Sequence, residues 1–118
     1  MKEIHGLLNH LLTVNEVHAA VVVGEDGLIL DSVGSKDTDA EIIGAICSNG
    51  YLALKGIGQE LNYGVVVQSV TRFRSGVIVL SRLPSQLTMA VVASERANLA
   101  EVWDATGQVL SKVAHFLK

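Results

Sequence analysis

Residues 17–33 read VHAAVVVGEDGLILDSV, two apolar runs rich in β-branched residues around Gly24-Glu25-Asp26-Gly27. Such runs on either side of a Gly/Asp turn predict a β-hairpin with strands over 17–23 and 28–33. The first run is apolar at nearly every position instead of alternating. That is the pattern of a strand covered on both faces, so helices are expected on both sides of the sheet.

Upstream, Ile4, Leu7, Leu8, Leu11 and Leu12 fall at i, i+3, i+4, i+7 and i+8, which predicts an amphipathic helix over about 4–13. Downstream, GSKDTDAE (34–41) places Thr38 and Glu41 at capping-box spacing, and a helix follows from near Asp39 to about Leu61. Asn62-Tyr63-Gly64 ends it. The runs VVVQSVTRF (65–73), VIVLSRL (77–83) and LTMAVVA (87–93) then read as three strands separated by turns. Ser94 is placed to cap a last helix, in which Leu99, Val102, Trp103, Thr106, Val109, Leu110, Val113 and Leu117 form a stripe. Short connections make neighbouring strands antiparallel. The expected fold is an α+β sandwich of order α-β-β-α-β-β-β-α, with a five-stranded antiparallel sheet and one domain over residues 1–118.

The chain has 118 residues, about half of them apolar, and a net charge of −3. It lacks any basic run, which argues against nucleic acid as a partner. Gly24–Gly27 interrupts the longest apolar stretch, so no membrane insertion is expected. The N-terminal segment reads as a helix and not as a signal peptide, and a lone Cys47 fits a reducing, cytoplasmic location.

The stretch EIIGAICSNGYLALKGIG (41–58) carries glycines at 44, 50, 56 and 58, each interior one costing a helix roughly 0.5–1 kcal/mol against alanine. At 100° per residue, Ile42, Ile43, Ile46, Cys47, Gly50, Ala53, Leu54, Ile57 and Leu61 share an arc expected to lie on the sheet. The opposite side should be polar, yet its only charge between 42 and 59 is Lys55. It instead offers Ala45, Asn49, Leu52 and Gly56, with Ser48 beside them and Gly44 at the margin. That is a small-residue seam suited to pairing with another helix. A helix with two apolar stripes is buried twice, which predicts a subunit interface; a crowded core with tolerated glycines is the alternative. The following strand has few charges and no proline. Pairing of Val65, Val67 and Ser69 with the same strand of a second copy would cover an otherwise open edge.

Catalytic constellations are mostly absent from the sequence. His5, His10, His18 and His115 are scattered, with no metal-ligand spacing among them or with Cys47, so no metal site is expected. Cys47 reads as a buried, inert thiol. GEDG and GIGQ lack the Lys-Ser/Thr of a phosphate loop and read as a hairpin turn and a helix end. Glu25, Asp26 and Asp31 form an acidic cluster in sequence, read as solvated turn residues. Arg72, Arg74 and Arg82 are expected to crowd the loops of the meander, as solvated residues and not as a catalytic finger.

The element order, the hairpin AAVVVGEDGLILDS (19–32), the small-residue helix at 40–58 and ANLAEV (97–102) resemble the Roadblock/dynein light chain family. Ala100 stands where glycine is common in the family, and Trp103 where arginine is common. The resemblance implies homo- or heterodimers whose third strands pair into one continuous sheet while the second helices meet across the axis. It further implies that MglB-like bacterial and archaeal members bind Ras-like small GTPases, and that other members serve as dynein light chains or scaffolds. Neither role uses a catalytic site in the chain itself, and no cofactor is expected.

The leading expectation is a non-catalytic homodimer that binds a Ras-like GTPase and modulates its nucleotide state. A scaffold subunit without effect on GTP turnover is the second. A small-molecule sensor is the third, with Trp103, Tyr51, Tyr63, Phe73 and Phe116 as the aromatic groups available to stack on a ligand. The expected partner surface surrounds the paired second helices, with Glu41, Asn49, Lys55 and Gln59 exposed on it.

Overall fold

Gly27 takes a φ of +85°, Asp26 accepts the Leu28 amide at 3.0 Å, and the Gly24 amide donates to the Leu28 carbonyl at 2.9 Å. These three features close the expected hairpin. The computed structural model describes residues 2–34 and 39–117. Its elements are α1 (Lys2–Leu11), β1 (Val17–Gly24), β2 (Ile29–Gly34), α2 (Ala40–Glu60), β3 (Gln68–Phe73), β4 (Gly76–Leu83), β5 (Leu87–Ser94) and α3 (Leu99–Phe116). All strand pairs are antiparallel, in the order β2-β1-β5-β4-β3. The α+β sandwich is the fold expected from sequence.

Helices cover both faces, and β1 is buried along nearly its whole length. On one face α1 and α3 enclose the larger core, with Ile4, Leu8 and Leu11 against Val22, Val79, Met89 and Val91, and with Val109 and Val113 beside them. Burial of each such side chain contributes roughly 1.5–3 kcal/mol. On the other face α2 packs Cys47 against Leu80 and Ala90. The edge strands are β2 and β3.

Several boundaries shift. α1 starts at Lys2 and ends at Leu11; residues 12–14 continue as turns bonded back to Asn9, His10 and Leu11. Thr38 lies outside the described residues, and the N-cap of α2 is Asp39, whose carboxylate accepts the Ile42 amide at 3.2 Å. Residues 65–67 precede β3 and do not extend it as expected, because the chain is still swinging out of the turn at Gly64 (φ +84°). Only the Val67 carbonyl reaches the ladder, accepting the Arg82 amide at 2.9 Å.

The cap of α3 is Asn98, which accepts the Glu101 amide at 3.1 Å, and not Ser94. Ser94 ends β5, and its hydroxyl donates to the Glu16 carboxylate at 2.7 Å while accepting the Arg96 amide at 3.1 Å, so it closes the turn ahead of α3 and not the helix itself. Along α3 the stripe is buried at Val102, Thr106, Val109 and Val113. Leu99 and Trp103 leave it, 37% and 41% exposed, because they overhang the sheet edge beside Val70.

Candidate functional site

The second helix faces differently from the expectation. Gly44, Cys47, Ser48 and Tyr51 are its buried residues, whereas Ile42, Ile46 and Ile57 are 57%, 61% and 56% exposed. The helix is rolled by roughly a third of a turn from the expected setting. Gly50, expected against the sheet, faces outward, and a Cβ there would meet nothing within 4 Å. Gly44, expected at the margin of an outer seam, is the close-approach glycine. A Cβ on it would lie 3.2 Å from Ile29 Cγ1 and 3.4 Å from Val23 Cγ2.

Polar demand at the first hairpin explains the roll. The Ser48 hydroxyl donates to the carbonyls of Gly24 and Glu25 at 3.2 and 3.0 Å, and Lys55 Nζ lies 3.2 Å from Glu25 Oε1. Leaving such a partly buried carbonyl unbonded costs up to about 1–3 kcal/mol. The helix therefore turns its serine and lysine to the hairpin, keeps Ile43 against the sheet and leaves Ile42, Ile46 and Ile57 outside.

Among the residues assigned to a dimer seam, Ala45, Asn49 and Leu52 are exposed, Gly56 is half-buried, and Gly44 and Ser48 are turned into the fold. Leu52 lies beside the first hairpin, with Leu28 and Leu30. Val65 and Val67 are exposed ahead of β3, and Ser69 is half-buried within it. Of the expected partner surface, Glu41 and Gln59 are exposed, whereas Lys55 is half-buried against Glu25.

The outward face of α2 is thus an apolar row of Ile42, Ile46, Ala53 and Ile57, ending at the exposed Leu61. Sequence reasoning missed it because it gave the largest aliphatic residues to the intrachain core. The available signal was polar: a serine and a lysine at i, i+7 on the flank facing a turn rich in backbone carbonyls. Gly58 also has a specific reason, since a Cβ there would collide with the Gly64 carbonyl oxygen at 2.5 Å as the chain returns from the helix.

The remaining polar groups do not converge. Glu25, Asp26 and Asp31 separate to three tasks: an ion pair with Lys55, the turn bond to Leu28, and a 2.9 Å contact with His5 Nδ1. Arg72 stands opposite Val77 and Arg82 opposite Thr88. They are held on opposite faces and about 17 Å apart along β4, so Arg82 does not crowd together with Arg72 as expected. Among the described residues no three His, Cys, Asp or Glu side chains lie close enough to share a metal ion. No helix among the described residues is long and apolar enough to cross a membrane. Cys47 is buried, and desolvation pushes its thiol from 9.0 to about 11. That disfavours a thiolate nucleophile.

The fold compares closely with solved structures. Myxococcus xanthus MglB is 12% identical over 99% of this chain and 96% of that chain, with a TM-score of 0.91. A Roadblock/LC7 domain from Streptomyces avermitilis is 24% identical over 96% of each chain, at 0.87. The gliding protein MglB from Thermus thermophilus is 12% identical over 97% of this chain and 87% of that chain, at 0.86. At these identities the likeness is one of fold. No curated protein matches the chain. The profile of the Roadblock/LC7 domain matches residues 3–93, most of the chain, which therefore belongs to the Roadblock/LC7 domain family.

Proposed function

We propose that the chain is a non-catalytic, cytoplasmic homodimer of one domain that binds a Ras-like small GTPase and modulates its nucleotide state. The observation that carries the dimer is the uncovered row Ile42, Ile46 and Ile57 on α2, in a sheet whose β3 edge is also open. Covering these three side chains in both copies would contribute on the order of 6–9 kcal/mol, before the cost of association. A two-fold axis beside β3 would bring helix against helix and extend the sheet to ten strands. The seam then consists of Ile42, Ala45, Ile46, Asn49, Ala53 and Ile57, with Val67 and Ser69 at the strand.

The GTPase rests on family membership and on the fold shared with MglB from two bacteria. In this reading the protein acts by ordering the GTPase's own residues, and its own arginines do not enter the reaction. The sensor reading is weaker. Gly44 brings α2 into close contact with Ile29 and Val23, where a ligand between helix and sheet would sit. Of the five aromatic residues, Tyr63, Phe73, Trp103 and Phe116 are exposed and dispersed.

The test is to purify the protein with small GTPases encoded near it and to measure complex formation and GTP turnover. Binding with faster or slower turnover supports the regulator. Binding with unchanged turnover supports the scaffold, and no binding to any of them contradicts the proposal.

A further inference from the structure

The sheet has two edges, and they are built differently. At β2 the register runs Ala19↔Gly34, Ala20↔Val33, Val21↔Ser32 and Val22↔Asp31, then jumps to Val23↔Ile29. Leu30 is the extra residue of a bulge. The Gly24–Leu28 bond fixes which residues face β1. By the alternation of antiparallel pairs, Ser32 stands at a non-hydrogen-bonded position, so its amide points off the free edge. That amide is already taken: Asp31 Oδ1 accepts it at 2.8 Å. The same oxygen lies 2.9 Å from His5 Nδ1, which ties the carboxylate to α1.

At β3 nothing comparable occurs. Its register against β4 is unbroken from Gln68↔Ser81 to Phe73↔Gly76. Among the described residues no side chain bonds to a β3 backbone amide, and the side-chain Nε2 of Gln68 donates inward along the ladder to Ser81 Oγ at 3.1 Å. Bulges, inward-held charges and occupied amides are devices that stop a strand edge from recruiting another strand.

Asp31 is also costly to keep where it is. Its Oδ2 is buried without a hydrogen-bond partner, and a partly desolvated carboxylate is a poor source of stability. A role in specificity accounts for its position better than a role in holding the fold.

We propose that the β2 edge is closed to strand addition through the Leu30 bulge and the Asp31–Ser32 contact, leaving β3 as the edge open to a second copy. Growth by strand addition therefore stops at two copies, and Asp31 is the guard. This rests on the dimer reading above, but the two separate experimentally. Sedimentation of the wild-type chain tests the dimer; sedimentation of Asp31→Ala and Asp31→Asn against it tests the guard. Asp31→Ala frees the Ser32 amide, and species of about twice the wild-type mass and larger are expected, growing with concentration. Asp31→Asn keeps an oxygen acceptor for Ser32 and is expected to retain the wild-type mass. His5→Ala leaves the Asp31–Ser32 bond in place and should do the same.

If Asp31→Ala fails to fold, Asp31→Val, better suited to a strand, carries the same test. A variant that has lost the acceptor, is folded by circular dichroism and keeps the wild-type mass across the concentration range overturns the guard. A wild-type monomer overturns the dimer reading, while the comparison of variant with wild type still decides the guard.

Discussion

The Cβ that Gly44 lacks would stand 3.2 Å from Cγ1 of Ile29, which sets how closely α2 can approach the first hairpin. Valine at this position has to displace Ile29 and Val23 together, and overpacking of that kind costs about 1–3 kcal/mol. Chemical denaturation of Gly44→Val should show a loss in that range. Gly107, where a Cβ meets nothing within 4 Å on α3, is the opposite case. Gly107→Ala should stabilise by about 0.5–1 kcal/mol through helix propensity.

Ser48 is a structural donor and not part of an outer seam. Its replacement by alanine leaves the Gly24 and Glu25 carbonyls without their shared hydroxyl. A loss of about 1–3 kcal/mol is expected from unfolding curves, with the solution mass unchanged. A lowered mass with full stability would restore Ser48 to the interface.

Cys47 titrates late because it is buried, from 9.0 up to about 11. The unfolded chain therefore releases this proton before the folded one does. Its contribution to stability is fully present below pH 9 and is lost as pH rises toward about 11. Cys47→Ala should flatten that alkaline fall in a pH series of unfolding curves. Thiol-directed reagents should label the native protein slowly at neutral pH and the denatured protein at the ordinary rate.

The outward isoleucines are the sharpest handle on the proposed interface. Ile46 is 61% exposed within one chain, so Ile46→Glu should leave the fold intact while dissociating the dimer. Leu52→Glu, beside the hairpin turn and off the centre of the row, should weaken association less. Equal effects of the two would mean that the interface lies closer to the hairpin.

Fold class and element order were legible in the sequence because they depend on features that one strand or helix carries alone. The apolar run at 17–23, the Gly24–Gly27 turn and the meander after Gly64 are such features. The facing of α2 was not legible. With apolar residues around most of its circumference, periodicity left its roll undetermined. The roll was decided by partners distant in sequence, the Gly24 and Glu25 carbonyls and the Glu25 carboxylate. For the same reason the His5–Asp31 contact joins residues 26 apart and leaves no local pattern. Ser94 shows a third cause: its hydroxyl oxygen accepts the Arg96 amide in the turn, and the helix starts later, behind Asn98.

In the proposed assembly two copies pair through the outward face of α2 and the open β3 edge. Sedimentation equilibrium of the wild-type chain at micromolar concentration tests it most directly. The chain mass is 12.5 kDa; a species of about twice that mass, reduced to the chain mass by Ile46→Glu, is the predicted result. A wild-type species that stays at 12.5 kDa throughout the concentration range would contradict the account.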